Sequence, residues 1–154
     1  MTGHPLHPIA VHFPVVLLIG GVLVDVVSAW LVAWRKAGFF HLVLGTIAAL
    51  AALMTGGWDA RSVDGTGTNT LLRSHTVFAI LTTLAYGLMA AGRIYFRIRH
   101  AKSGALGDPE ANVPVCRAAI YFAFAAIGVI LMVATGFTGG GLVYGQSVGT
   151  IAGR

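Results

Sequence analysis

The sequence predicts an all-α integral membrane protein, a bundle of four transmembrane helices. Three observations lead there. Hydrophobic residues make up 56% of the 154-residue chain and charged residues only 10%, against about 25% charged in an ordinary soluble domain. The apolar residues gather into four long runs, and crossing ~30 Å of hydrocarbon takes ~20 residues at ~1.5 Å each. The few basic residues fall mainly between those runs, the pattern of membrane topology rather than of a nucleic-acid surface. A soluble domain this short could not cover its surface with ten Lys and Arg and five Asp and Glu, and a disordered chain would be polar throughout.

The spans are read at about residues 9–34, 39–57, 71–96 and 116–137, in one membrane domain. Arg35 to Gly38 reads as a tight turn between the first two. Trp58 to Thr70 is a polar, Gly-rich loop, and Arg97 to Val115 is a basic loop with the breakers Gly104, Gly107 and Pro109. Residues 138–154 form a Gly-rich tail, too interrupted to span and expected to fold back on the external side. Trp30, Trp34 and Trp58 stand at run ends, where interfacial aromatics belong.

Orientation follows from the cations. Arg35, Lys36, Arg93, Arg97, Arg99, Lys102 and Arg117 flank the two turns on one side; Arg61, Arg73 and Arg154 lie on the other. The positive-inside rule then places both termini and the Trp58–Thr70 loop outside the cytoplasm. The single Cys116 allows no internal disulfide and no CxxC motif.

The histidines carry the functional expectation. His12 lies three residues after Ile9 and His75 four after Leu71, on spans that run the same way. Counted from those boundaries, the two imidazoles sit at similar depth near the external side, as axial ligands of a b-type haem would. Ala79, Gly56 and Gly57 would give the macrocycle room; Asp59 and Arg61 read as bonding to its propionates, as bonding to HPLHP, or as a solvated loop, and Arg73 as a further cofactor-binding residue. His headgroup contacts are the plainer account of any one such residue. His4 and His7 each precede a proline, so HPLHP reads as extended; they read as solvated, as partner contacts, or, with His12, Met54 and Met132, as an alternative donor set suited to copper. Methionine is also an ordinary core filler. Asp25, inside the first span, requires a proton or a basic partner, with His41 and Arg93 on its side. His41 itself reads as an interfacial group. Pro14 either kinks the first helix or stands in its opening turn.

The string His4-Pro5-Leu6-His7-Pro8-Ile9-Ala10-Val11-His12-Phe13-Pro14 closely resembles the opening of a bacterial membrane family catalogued as domain of unknown function 2231, typically HPxxVHFP before an apolar span with an Asp. Here His7 to Pro14 and then Asp25 match. Thr55-Gly56, Asp59, His75, Gly139-Gly140 and Leu142-Val143-Tyr144 extend the resemblance over nearly the whole chain. It implies a four-helix membrane protein, some of whose relatives are joined to or encoded beside Rieske iron–sulfur or cytochrome c modules. The tail departs from the family where Gly145-Gln146-Ser147-Val148-Gly149 lacks a histidine, so it implies no ligand there.

The expected function is therefore that of a b-type haem subunit in a respiratory or dehydrogenase complex. It would exchange electrons with cytochrome c or iron–sulfur subunits, or with quinone. A cofactor-free accessory subunit and a copper-binding protein are the alternatives. Nothing resembles a hydrolytic triad, a phosphate loop or an HExxH helix, so activity alone is not expected.

Overall fold

The computed structural model describes residues 7–63, 70–104, 106–109 and 115–142. The elements are α1 (His7–Ala10), α2 (His12–Val27), a 3₁₀ turn at Val32–Trp34, α3 (Arg35–Val63), α4 (Thr70–Lys102) and α5 (Val115–Gly140). Four helical stretches are long and apolar enough to cross a membrane: His7–Val27, Arg35–Trp58, Thr70–Lys102 and Arg117–Gly140. No strand occurs among the described residues.

The first span combines α1 and α2. Val11 between them keeps helical dihedrals (φ −68°, ψ −20°). Pro14 is the third residue of α2, and the N–H it lacks is the one that would have met the Ala10 carbonyl across the join, between the bonds of Val11 to His7 and of Val15 to Val11. HPLHP is thus not extended at His7, which opens α1 with Pro8 in its first turn. The second proline of the string suits a helix start as well as an extended chain.

Helix α2 ends at Val27, short of the Trp34 reached by counting apolar residues. The Ser28 hydroxyl donates to the Asp25 carbonyl at 2.8 Å. Ala29 and Trp30 then take up the tighter i→i−3 bonds to Val26 and Val27, which unwinds the helix. Residues 28–34 make the turn, and Arg35 to Gly38 is instead the first turn of α3. Gly38 has a different purpose there: a Cβ at that position would overlap the Asp25 carboxylate. At the other end of the bundle's third span, α4 runs on to Lys102 past Phe96. Arg99, His100 and Lys102 in its last turn complement the negative end of the helix dipole.

Helix α2 packs along α3 and α4 along α5, and contacts between α3 and α4 join the two hairpins. The core holds Leu18, Leu42, Ala49, Tyr86, Met89, Ala90, Ala125 and Met132. Small residues bring the helices close, since lipid offers no hydrophobic drive between them. A Cβ on Gly45 would stand 2.6 Å from Leu18 Cδ2, and one on Gly128 2.9 Å from the Tyr86 ring. The outward faces carry exposed Phe13, Val16, Leu23, Leu88, Ile130 and Phe137. In water that surface would aggregate; in a bilayer it is the lipid contact.

Candidate functional site

Two polar clusters lie at opposite ends of the bundle. At the end holding the start of α2 and the close of α5, α1 brings His7 against α3. His7 Nδ1 lies 3.0 Å from the Ala52 carbonyl and 3.4 Å from Thr55 Oγ1. His75, in the second turn of α4, places Nδ1 3.0 Å from the Thr135 carbonyl on α5 and 3.4 Å from Thr138 Oγ1. A carbonyl can only accept, so in each ring Nδ1 carries the proton. The neutral tautomer then leaves the lone pair on Nε2, the state of an imidazole that can ligate a metal.

The two rings meet edge to face, their centroids 5.9 Å apart. Glycine makes each seat. A Cβ at Gly56 would lie 2.8 Å from His7 Cε1, and one at Gly139 2.9 Å from His75 Cε1. Beside the rings is a cavity of about 70 Å³, walled by Pro14, Leu18, Ala79, Thr82 and Met132.

The ring contact to His75 therefore comes from His7. His12 is exposed, and its Nδ1 donates to the Pro8 carbonyl of its own chain segment at 2.7 Å. His41 does likewise with Ala37 at 2.8 Å, and its side chain packs against Gly20 and Gly21. These bonds stay within one helical turn, whereas those of His7 and His75 cross to another helix. Met54 is 77% exposed and faces away from the bundle, while Met132 is buried on the cavity wall. Arg73 is exposed. His4, the side chains of Asp59 and Arg61, and residues 143–154 lie outside the described residues. Among the described residues no cluster of three or more His, Cys, Asp or Glu could hold an ion.

At the opposite, basic end, Asp25 of α2 is buried and paired with Arg93 of α4, whose Nη1 reaches both carboxylate oxygens. Tyr121 of α5 donates its hydroxyl to the same carboxylate, and Arg93 reaches back to the Arg35 carbonyl at 3.4 Å. Of the two partners expected for Asp25, Arg93 is the one that reaches it. Tyr121 was not foreseen, because a tyrosine in an apolar run reads as core filler. The His7 seat was not foreseen either; its signal is the pairing of His7 with Thr55-Gly56, a polar step in an otherwise apolar run.

No curated protein and no solved structure matches the chain. The family described as predicted membrane protein (DUF2231) matches residues 3–152. Coverage of nearly the whole chain, with four helices able to span a bilayer, makes this protein a member of that membrane family.

Proposed function

We propose that the chain holds a single redox-active metal ion, copper by its donors, between His7 and His75, and serves as a membrane subunit of a larger redox assembly. The observation that supports this is the matched anchoring of two imidazoles from different spans, each through Nδ1 to a carbonyl of a neighbouring helix, His7 to Ala52 on α3 and His75 to Thr135 on α5. Metal-ligating histidines characteristically donate their other nitrogen in this way, which fixes the tautomer and the ring. Two metal–nitrogen bonds of about 2 Å each, with the ring radii behind them, put centroids roughly 6 Å apart. The observed 5.9 Å is also the spacing of an ordinary edge-to-face ring pair, so it leaves room for this reading without carrying it. Met132 on the cavity wall would add a soft thioether, which with imidazole suits copper.

A second reading, b-type haem, is favoured by the same imidazole pair. Its donors fit and its space does not. The cavity of about 70 Å³ holds an ion or about two waters, whereas small-molecule and cofactor sites take about 300–1,000 Å³. The basic end faces the cytoplasm by the positive-inside rule, so the histidine pair would face an external partner of the cytochrome c or iron–sulfur class.

The test is metal and haem binding by the purified protein. Metal-free protein should take up one equivalent of Cu(I) against a competing chelator. His7→Ala and His75→Ala should each lose it, and His12→Ala and His41→Ala should keep it. A sharp reduced α-band after haem addition, lost in the same two variants, would replace copper by haem. A protein that binds neither and still assembles is a cofactor-free accessory subunit, and the proposal fails.

A further inference from the structure

The two hairpins of the bundle correspond at the positions that face inward. The ion pair joins residues 68 apart in sequence, Asp25 and Arg93. The same step leads from His7 to His75, whose rings touch. It also leads from Leu18 to Tyr86, the two largest fully buried side chains among the described residues. Helices α3 and α5 follow at a constant step of their own. Gly45 and Gly128 correspond, and a Cβ on each would press on Leu18 and on Tyr86 respectively. Ala52 and Thr135 correspond, and their carbonyls accept from His7 and His75. Thr55-Gly56-Gly57 and Thr138-Gly139-Gly140 complete the series.

Equivalent residues of two like halves touch each other only near the axis that relates the halves. His7 meets His75 at one end of the bundle and Asp25 meets Arg93 at the other. The axis therefore runs the length of the bundle, between α2 and α4. Both of those helices lead from the histidine end to the ion-pair end, as a two-fold axis along the membrane normal requires. The halves differ where identity would fail. Two aspartates or two arginines on the axis would repel, whereas Asp25 and Arg93 attract. Gly38 and Tyr121 correspond as well, and each lies against its own hairpin's member of that pair: a Cβ on Gly38 would overlap the Asp25 carboxylate, and the Tyr121 hydroxyl accepts from Arg93 Nη1 at 3.2 Å.

The histidine seat is the same device in both hairpins. The threonine hydroxyl donates to the carbonyl that also receives the imidazole N–H, Thr55 to Ala52 at 3.0 Å and Thr138 to Thr135 at 3.1 Å. In each seat the threonine oxygen then stands 3.4 Å from Nδ1, so the ring N–H lies between two acceptors. One acceptor lets an imidazole swing about the bond; a second fixes its plane. The glycine that follows each threonine lets the ring come down onto the helix.

We propose that the chain is a two-fold repeat of one helical hairpin, and that Thr55 and Thr138 are the equivalent positioning residues of the histidines on its axis. The inference concerns the same histidine pair as the metal reading but is tested on metal-free protein, so the two fail separately. The test is NMR of protein labelled with nitrogen-15 histidine, at a pH where imidazole is neutral, with the two rings assigned by their loss in His7→Ala and His75→Ala. Both rings should carry their proton on Nδ1. Thr55→Val should speed hydrogen exchange at His7 Nδ1 by roughly five- to tenfold, the effect of losing about one weak hydrogen bond. Thr138→Val should do the same, by the same factor, at His75. Thr55→Ser and Thr138→Ser should restore the parent rates. Thr46→Val is the control, because that hydroxyl bonds within α3, to the Leu42 carbonyl at 2.7 Å; it should leave both rings as they were. A parent protein in which either ring carries its proton on Nε2 overturns the proposal without reliance on any variant. So does a response to only one of the two threonines, or one that Thr46→Val matches.

Discussion

Arg93 grips both carboxylate oxygens of Asp25 from one terminal nitrogen, at 3.0 and 2.8 Å. With side chains 12% and 6% exposed, the pair is withdrawn from water, and Tyr121 closes it from α5. One carboxylate thereby ties α2, α4 and α5 together and joins α5 to the first hairpin through polar groups. Asp25→Asn keeps the shape and strands the arginine. Breaking a buried pair from one side costs about 3–5 kcal/mol, so the thermal midpoint in detergent should fall well below that of the parent. Asp25→Asn with Arg93→Gln should recover part of the loss. An Asp25→Asn protein as stable as the parent would mean that the carboxylate is not a clamp.

The glycine seats give a separate handle on the histidine pair. Gly56→Ala and Gly139→Ala each put a methyl group within 2.9 Å of an imidazole carbon. The ring must shift off its carbonyl. Losing such an orienting partner typically costs about 10–100-fold in metal affinity, and copper binding should weaken by that order in both variants. Gly57→Ala is the control, because its Cβ meets nothing within 4 Å. If Gly57→Ala weakens binding as much as the other two, ring placement is not what the glycines provide.

Run length and charge were enough to read the four spans, the basic end, and the need of Asp25 for a cation. They could not tell which histidine faces His75. Depth counted from a run boundary places a residue along the membrane normal but not around the helix. His7 and His12 are five residues apart, and at 3.6 residues per turn they point roughly 140° away from each other. His12 accordingly faces outward while His7 faces α3. Gly38 misled in a similar way. Beside Arg35 and Lys36 it reads as a turn glycine, yet its lack of a side chain is what lets the Asp25 carboxylate approach α3.

The orientation of the bundle is open to direct labelling. Arg35 and Lys36 open α3, Arg93 to Lys102 close α4, and Arg117 lies at the start of α5, so one end collects seven of the ten Lys and Arg. In a Cys116→Ser background, single cysteines at Lys36 and Lys102 should be shielded from an impermeant thiol reagent in intact cells. A cysteine at Thr70, exposed at the start of α4, should react. The reverse pattern would turn the histidine pair toward the cytoplasm and the Asp25–Arg93 pair away from it.

Tyr86 tests how tightly the two halves of the core are packed. It is fully buried, the largest such side chain, and its ring lies against Gly128 at 2.9 Å from where a Cβ would stand. Its hydroxyl has no hydrogen-bond partner among the described residues. A buried hydroxyl without a partner contributes nothing to folding and costs its desolvation. Tyr86→Phe should therefore unfold no earlier than the parent, with a gain of up to about 1 kcal/mol. Gly128→Ala drives a methyl group into the ring and should cost about 1–3 kcal/mol, as overpacking does. Tyr86→Leu should relieve part of that cost when combined with Gly128→Ala, because residues in contact are not additive. A midpoint that drops sharply in Tyr86→Phe would show that the hydroxyl is held after all, and that this stretch of α4 carries a polar contact at the centre of the bundle.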